Sequence, residues 1–193
     1  MKLVFATANA NKAAEIAHLL PNTFEIVTLK DLEVNEDIPE TAETLEGNAH
    51  LKAQYVMERF GLPCFADDTG LEITSLEQRP GVRSARYAGE HRSDEDNMKK
   101  VLSELEGHSD RSARFRTVVA LHLPNEKLEF EGIVDGEILH EKQGVEGFGY
   151  DPIFSPEGEQ RSFAEMSMDE KNAISHRGRA VKKLVDHLKK ISC

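Results

Sequence analysis

The stretch KLVFATANANKAAEIAHLL, residues 2–20, indicates the class of fold from the start of the chain. Its apolar run Lys2–Ala6 has the length of a short buried strand, and the polar run Thr7–Lys12 predicts a loop. A helix is predicted next, because apolar residues recur at helical spacing. These residues are Ile16, Leu19 and Leu20. The chain therefore opens as strand, loop and helix, the beginning of an α/β unit.

Regular elements continue beyond this opening unit. The run Phe24–Leu29 predicts a second strand, and the acidic stretch Asp37–Glu40 predicts a loop. A longer helix is predicted from Thr44 to Gly61, because a glycine closes an apolar stripe at helical spacing. The stripe consists of Leu45, Ala49, Ala53, Val56, Met57 and Phe60.

The second half of the chain mixes strands and helices. Cys64–Ala66 predicts a short buried strand, and a helix is expected from Asp94. The β-rich runs Arg114–Leu123 and Lys127–Val134 are separated by Pro124-Asn125, which is typical of a hairpin. The tail predicts a helix with one apolar face. That face consists of Val181, Leu184, Val185, Leu188 and Ile191.

The order of these elements predicts an α/β fold. We expect a mixed sheet flanked by helices, with an antiparallel insertion and with polar candidate residues on loops at strand ends. A chain of 193 residues has the size of one domain. We therefore expect residues 1–193 to form a single domain with two lobes and a central cleft.

Composition limits the classes of function. The formal net charge of −11 repels polyanions, so no nucleic-acid partner is expected and an anionic ligand needs a local basic pocket. The two cysteines form no ligand or disulfide pattern, which favours a reducing compartment and predicts a cytoplasmic location. The apolar runs are too short for a signal peptide or a membrane span, so no membrane partner is expected.

The loop Thr7–Lys12 is the first candidate site. A strand runs here into a helix whose N-terminal N–H groups can hold an anion, and Lys12 adds a cation. The arrangement suits a triphosphate, although the Walker pattern GxxxxGK[ST] is absent. A capped strand-to-helix turn without a phosphate is the alternative.

The second candidate is the tetrapeptide Asp67-Asp68-Thr69-Gly70. Two adjacent carboxylates at the end of an apolar strand cost desolvation energy unless a cation or hydrogen-bond donors compensate. Magnesium prefers such oxygen ligands and bridges them to substrate phosphates. Successive strand side chains point in opposite directions, which predicts different roles for the two acids. An Asx turn at the end of the strand is the alternative.

A third candidate is the polar pair Asn48 and Lys52 on the predicted helix. The two residues are four positions apart, so they lie on one face, opposite the apolar stripe. Lys52 can reach a phosphate oxygen from this face. An exposed lysine opposite an apolar stripe is also ordinary solvated surface, and this alternative remains open.

The fourth candidate is the segment Gly147-Phe148-Gly149-Tyr150-Asp151-Pro152. Glycines on both sides of an aromatic residue let the backbone approach a flat ligand closely. Phe148 can stack on a nucleobase, and Asp151 or backbone groups can bond its edge. The alternative is a tight loop whose phenylalanine and tyrosine anchor it in the core.

The fifth candidate is the segment from Lys171 to Arg177, which leads into the last helix. Lys171, His176 and Arg177 lie near a helix start, where positive charge opposes the helix dipole unless an anion is present. This favours contact with a phosphate or a base carbonyl. The alternative is pairing with Asp169 and Glu170 on the surface.

Six blocks in this order resemble the inosine triphosphate pyrophosphatase family, and the likeness runs nearly end to end. The blocks are TANANK (7–12), NAHLKA (48–53), ADDTGLE (66–72), PGVRSARYAG (80–89), GFGYDPIF (147–154) and EKNAISHRG (170–178). The resemblance implies hydrolysis of ITP, dITP and XTP to the monophosphate and pyrophosphate with Mg²⁺, which removes non-standard purine nucleotides. It also implies an elongated two-lobed fold and a homodimer.

The resemblance also implies roles for single residues. Asp68 is the catalytic acid or base and binds the metal, with Glu40 as a second metal ligand. The remaining matched positions are implied to contact the substrate. Phosphate contacts fall to Thr7, Ala8, Asn9, Ala10, Asn11, Lys12, Lys52 and Lys171, a further substrate contact to Thr69, and the base pocket to Phe148, Gly149, Tyr150, Asp151, His176 and Arg177.

Two positions depart from the family pattern. Relatives commonly have Gly or Asn in place of Ala8, a mild change, and Glu in place of Gly47, which removes a carboxylate near the metal. That loss is a hint of the first alternative, a nucleotide-binding protein without hydrolysis. The second alternative is a pyrimidine triphosphate pyrophosphatase of the similarly folded Maf family, which the blocks GFGYDP and ISHRG match less well.

Overall fold

The computed structural model describes residues 2–20, 24–34, 36 and 38–191. The strands are β1 (Lys2–Phe5), β2 (Glu25–Thr28), β3 (Cys64–Ile73), β4 (Arg79–Gly81), β5 (Ser112–Leu123), β6 (Glu126–Ile138) and β7 (Phe154–Pro156). The helices are α1 (Ala10–Leu19), α2 (Leu45–Phe60), α3 (Asp94–Glu104), α4 (Met168–Ile174) and α5 (His176–Ile191). Asp37 of the predicted acidic loop lies outside the described residues.

The strands form one sheet in the order β2-β1-β3-β5-β6-β7, with β4 paired to β3. β1 pairs in parallel with β2 and β3, whereas β4 and β7 pair antiparallel with β3 and β6. β5 and β6 are neighbours joined by Pro124-Asn125, as the hairpin signal predicts. The predicted α/β fold with a mixed sheet is therefore confirmed.

Local capping explains where the two helices near the N-terminus begin and end. The Asn9 side chain caps α1 by accepting from the N–H groups of Asn11 and Lys12. Thr44 caps α2 by accepting from Gly47 N–H, and Gly61 ends that helix with φ +64°. A left-handed residue at this position favours glycine, which has no Cβ to clash. The predicted limits of α2 are thus correct.

The predicted end of β3 at Ala66 is wrong. The strand continues through Asp67 and Asp68 to Ile73, where its last residues pair with β4 in the register Leu71 to Gly81 and Ile73 to Arg79. This pairing supplies backbone partners that an isolated turn lacks. The Asx-turn alternative is therefore excluded, and both carboxylates lie within a strand.

The chain divides into two compact units, which we call unit 1 and unit 2. Unit 1 contains 1–68, 117–132 and 177–193, and unit 2 contains 69–116 and 133–176. In unit 1, one apolar cluster joins the sheet to α1 and α5, and another joins it to α2. Unit 2 has its own cluster, in which α3 packs with the aromatic residues Phe115, Phe154 and Phe163. The elongated shape and the central cleft stay predictions.

Among the helices of the described ranges, we find none with the length and apolar character that crossing a membrane requires.

Candidate active site

The alternation of β3 separates the two adjacent acids of unit 1. Phe65 belongs to the apolar cluster with α1 and α5, whereas Cys64 and Ala66 belong to the cluster with α2. Because side chains alternate along a strand, Asp67 points toward α1 and α5 and Asp68 points toward α2. Each carboxylate is thus surrounded by a different set of charges.

Asp67 lies among cations and is 1% exposed. Its Oδ2 atom lies 3.1 Å from Lys12 Nζ of α1 and 3.3 Å from Arg177 Nε of α5. Arg177 also forms an ion pair with Glu15 of α1. Burial raises the pKa of Asp67, but the charges of Lys12 and Arg177, helped by Lys52, outweigh burial and hold this pKa well below its usual range.

Asp68 is 8% exposed and has fewer compensating charges. Its Oδ1 atom lies 3.6 Å from Lys52 Nζ, and its Oδ2 atom accepts a hydrogen bond from Asn48 Nδ2 at 3.3 Å. Lys52 Nζ also donates to Glu40 Oε1 at 2.6 Å. Burial is the main reason that the pKa of Asp68 is raised; Lys52 and Lys12 lower it without offsetting burial, and Glu40 adds to the rise.

Glu40 and Asp68 are the residues that can hold a metal. In the described part of the chain, no group of three or more His, Cys, Asp or Glu side chains is arranged to hold one. Magnesium, however, is commonly bound by one or two carboxylates together with substrate phosphates and water. Both carboxylates converge on Lys52, so they place a set of carboxylate oxygens at one point, and such oxygen ligands fit a divalent cation.

Gly47 brings the segment that carries Glu40 close to α2. A Cβ atom at this position would lie 2.5 Å from Ala42 Cβ, closer than such atoms approach. The same segment is held by a hydrogen bond from Ala42 N to Asn48 Oδ1 at 2.9 Å. The glutamate common in relatives at this position has no room in this backbone, and the carboxylates that contact Lys52 here are those of Glu40 and Asp68.

The loop Thr7–Lys12 is held by its own side chains. Asn9 N–H donates to Thr7 Oγ1 at 3.1 Å, while Asn9 Oδ1 accepts from the amides of Asn11 and Lys12 at 2.9 and 3.1 Å. An anion at these two amides would have to compete with the Asn9 side chain. Thr7 is half-buried and Ala8, Asn9 and Ala10 are exposed, and the side chain of Lys12 contacts Asp67 of β3.

Unit 2 brings a second set of predicted residues together. Asp151 Oδ2 accepts from Phe148 N–H at 2.8 Å and from Lys171 Nζ at 2.6 Å. The ammonium group of Lys171 lies 5.0 Å from the centre of the Phe148 ring, a cation–π distance. A Cβ atom at Gly147 would lie 2.2 Å from Asp151 Oδ2, so the turn requires glycine. Phe148 and Gly149 are half-buried.

Two of the predicted base-pocket residues are packed into the core of unit 2. Tyr150 is buried, and its hydroxyl donates to the Ser84 carbonyl oxygen at 2.8 Å. His176 stacks on Phe115, with ring centres 4.6 Å apart. Tyr150 thus anchors the loop, as the alternative interpretation of this segment proposed. Thr69 follows Asp68 on β3 and is half-buried.

Glu15 was missed by the sequence reasoning. It is buried on α1 and pairs with Arg177, 162 residues away. Together Lys12 and Arg177 balance Asp67 and Glu15, so this group of four side chains is neutral. A local pattern carries no signal for Glu15, because an acid within a helix is ordinarily solvated surface.

Comparisons with known proteins identify the relatives of this chain. The model of the Ham1 family matches residues 3–187 of the chain. A protein of Flavobacterium psychrophilum named dITP/XTP pyrophosphatase is 54% identical over 189 residues, covering 98% of this chain and 100% of that protein.

Solved structures give the same result. A HAM1 protein from Coxiella burnetii matches with a TM-score of 0.91 and 42% identity, covering 98% of this chain and 99% of that chain. The Staphylococcus aureus Ham1 protein matches with a TM-score of 0.90 and 37% identity, with the same coverage. The likeness thus extends over sequence and structure and includes every candidate segment, so the resemblance predicted from the six blocks is confirmed. This chain belongs to the Ham1 family.

Proposed function

We propose that this chain hydrolyses dITP, XTP and ITP between the α and β phosphates and releases the nucleoside monophosphate and pyrophosphate. The relatives named dITP/XTP pyrophosphatase support the substrate class. The observation that carries the proposal is the pair of carboxylates Glu40 and Asp68, which converge on Lys52 and offer the oxygen ligands that a divalent cation prefers.

Glu40 and Asp68 would hold Mg²⁺. When bound, this ion neutralises charge on the phosphate oxygens and makes a coordinated water more acidic. Asp68 also orients the attacking water and accepts its proton, because it is a carboxylate that Asn48 and Lys52 hold in place beside the proposed metal. Asn48 keeps the carboxylate in place through its hydrogen bond.

The lysines supply positive charge for the triphosphate. Lys52 remains an ammonium group because Asp68 and Glu40 raise its pKa against the effect of burial. Lys12, 15% exposed at its side chain, lies close enough to the acids to bind a phosphate oxygen beside them. Lys171 is held by Asp151 beside Phe148, where it contacts the nucleotide. Such preorganised charges stabilise the charge that develops on the leaving pyrophosphate.

The base is proposed to stack on Phe148 and to bond to the loop around it. Asp151, Gly149 and Tyr150 shape this loop, and His176 and Arg177 begin the helix α5. A missed hydrogen bond in a buried site costs about 1–3 kcal/mol, so several such contacts are needed to reject standard purines strongly. The homodimer and the cytoplasmic location are further proposals that rest on the resemblance and, for the location, on cysteine use.

One assay tests the function. Purified protein is incubated with Mg²⁺ and a panel of dITP, XTP, ITP, dATP and dGTP, and released pyrophosphate is measured separately from orthophosphate. We expect pyrophosphate from the first three nucleotides and loss of turnover on adding EDTA. Orthophosphate alone would contradict the cleavage site, and equal turnover of dATP and dITP would contradict the substrate class.

A further inference from the structure

The loop that carries Phe148 is held by hydrogen bonds to its backbone. The amides of Val145 and Glu146 both donate to the Ala164 carbonyl oxygen, at 3.1 and 3.0 Å. Farther along, the Phe148 amide donates to Asp151 Oδ2 at 2.8 Å. These contacts determine the path of the backbone and therefore where the Phe148 ring lies.

The next amide in the loop is held from a distant part of the sequence. Gly149 N–H donates to Asp94 Oδ2 at 2.8 Å, across 55 residues. A carboxylate acceptor makes this a charge-assisted bond, which is stronger than a bond between neutral groups. Gly149 has φ +65°, so the loop turns sharply at this residue. Asp94 therefore holds the turn that follows Phe148.

The helix that carries Asp94 is a fixed support. Glu95, the next residue of α3, pairs with Lys142 at 2.6 Å, so the first helical turn contacts the segment before the loop as well. The buried Asn97 accepts from Ala88 N–H at 2.7 Å, and Val101 packs in the core of unit 2. The first turn of α3 thus contacts the segment 142–149 at both ends, through Glu95 at Lys142 and through Asp94 at Gly149.

We propose that Asp94 is a positioning residue for nucleobase recognition, because it fixes the Gly149 turn and with it the Phe148 ring. The inference rests on the proposed function, in which Phe148 stacks on the base. Asp151 offers no clean test, since it holds both the loop and Lys171. Substitution of Asp94 removes one contact to the loop and leaves Asp151 and Lys171 in place.

The test compares Asp94→Ala with two other variants. Asp96→Ala is the matched control, because it removes one negative charge from the same helical turn while its partner is His91 rather than the loop. Asp94→Asn keeps a neutral oxygen that can still accept from Gly149 N–H. For each variant we measure kcat and KM for dITP and the inhibition constant of inorganic tripolyphosphate, which has no base.

We expect Asp94→Ala to raise KM for dITP about fivefold, which corresponds to loss of roughly one net hydrogen bond. The value of kcat and the inhibition constant of tripolyphosphate stay within about twofold of wild type, because the phosphate contacts are intact. Asp96→Ala resembles wild type, and Asp94→Asn recovers most of the affinity. Amide hydrogen exchange in a peptide spanning 144–150 becomes faster in Asp94→Ala alone, since this amide loses its acceptor.

Several results would overturn the inference. They are an unchanged KM in Asp94→Ala, an equal rise in Asp96→Ala, an equal rise in the inhibition constant of tripolyphosphate, and unchanged hydrogen exchange. Failure of the proposed function looks different, because the wild-type protein then releases no pyrophosphate from dITP. In that case hydrogen exchange still decides whether Asp94 holds the loop.

Discussion

Asp67 and Asp68 are neighbours on β3 and both are buried, yet their surroundings shift their pKa values in opposite directions. Asp67 faces Lys12 and Arg177, and Glu15 brings that group to neutrality. Asp68 faces Lys52, which it shares with Glu40. Burial acts on both acids in the same sense, so the number of nearby cations decides the direction.

The comparison of Asp67 with Asp68 distinguishes an expected structural role from an expected catalytic role. A group of buried opposite charges, such as that around Asp67, is destabilised when one member is removed, because charge is then left buried with less compensation. Asp68 and Glu40 instead offer carboxylate oxygens to a bound cation. We therefore expect loss of Asp67 to act mainly on stability and loss of Asp68 to act mainly on turnover. The predictions that follow test this division, beginning with the variant that should change the protein most.

Asp68→Asn is expected to lower kcat about a thousandfold, because it removes the group that accepts the proton of the attacking water. The amide has nearly the same shape, so dITP binding stays measurable and the melting temperature stays close to that of wild type. Pyrophosphate release and equilibrium binding of dITP check the two parts. Near-wild-type hydrolysis would refute the assignment of Asp68.

Asp67→Asn is expected to lower the free energy of unfolding by about 3 kcal/mol, because the buried cations Lys12 and Arg177 lose a counter-charge. Urea denaturation measures this change. Asp186→Asn is the control, since its pair with Lys182 is exposed and contributes little to stability. An equal decrease in the free energy of unfolding in Asp67→Asn and Asp186→Asn would contradict a structural role for Asp67.

His122 extends the comparison to a buried group whose neighbour brings no negative charge. It is 1% exposed, and burial first and His50 second lower its pKa from 6.5 to about 4. In the unfolded chain His122 binds a proton near pH 6.5, whereas in the folded chain it binds that proton only near pH 4. Stability therefore falls as pH falls through this window, by roughly 2–3 kcal/mol.

Urea denaturation at pH 7 and pH 5 checks the His122 prediction. His122→Gln removes the titrating ring, so this variant should lose less stability on acidification than wild type does. An identical pH dependence in both proteins would show that other groups dominate, and that burial does not govern His122.

Asn48→Ala is expected to give the smallest effect, a decrease of about fivefold in kcat for dITP. The change removes the hydrogen bond that orients Asp68 and the one that Asn48 accepts from Ala42 N, but it leaves both Asp68 and Glu40 in the chain. Steady-state kinetics measure it, with Gln54→Ala, an exposed position on the same helix, as the control. If both variants match wild type, Asn48 has no role in positioning Asp68.

Local patterns were sufficient for most elements of the fold. The apolar run after Met1, the stripe closed by Gly61 and the hairpin at Pro124-Asn125 each depend on neighbours in sequence, and each is found as predicted. β3 was predicted to end too early, because two aspartates followed by a glycine are typical of a turn. Its continuation depends on pairing with β4, which a local pattern does not contain.

The candidate site was predictable in part. The six blocks identified the family and named Asp68, Lys52 and Glu40, and the structure brings these three side chains together. The partnership of Glu15 with Arg177 joins α1 to α5 and has no local signature. The hydrogen bond from Gly149 N–H to Asp94 was not predicted from the sequence for the same reason. Contacts between residues far apart in sequence require the folded chain.

By itself, the sequence determined the family, the order of strands and helices, and the acidic pair at the centre of the site, since these follow from residue type and spacing. The resemblance already implied that Asp68 is the catalytic acid or base, whereas the opposite pKa shifts of the two acids are visible only in the folded chain. These shifts depend on how many cations surround each carboxylate, and those cations come from α1, α2 and α5. Electrostatic energy depends on distance in space, so the pKa values of Asp67 and Asp68 are properties of the fold.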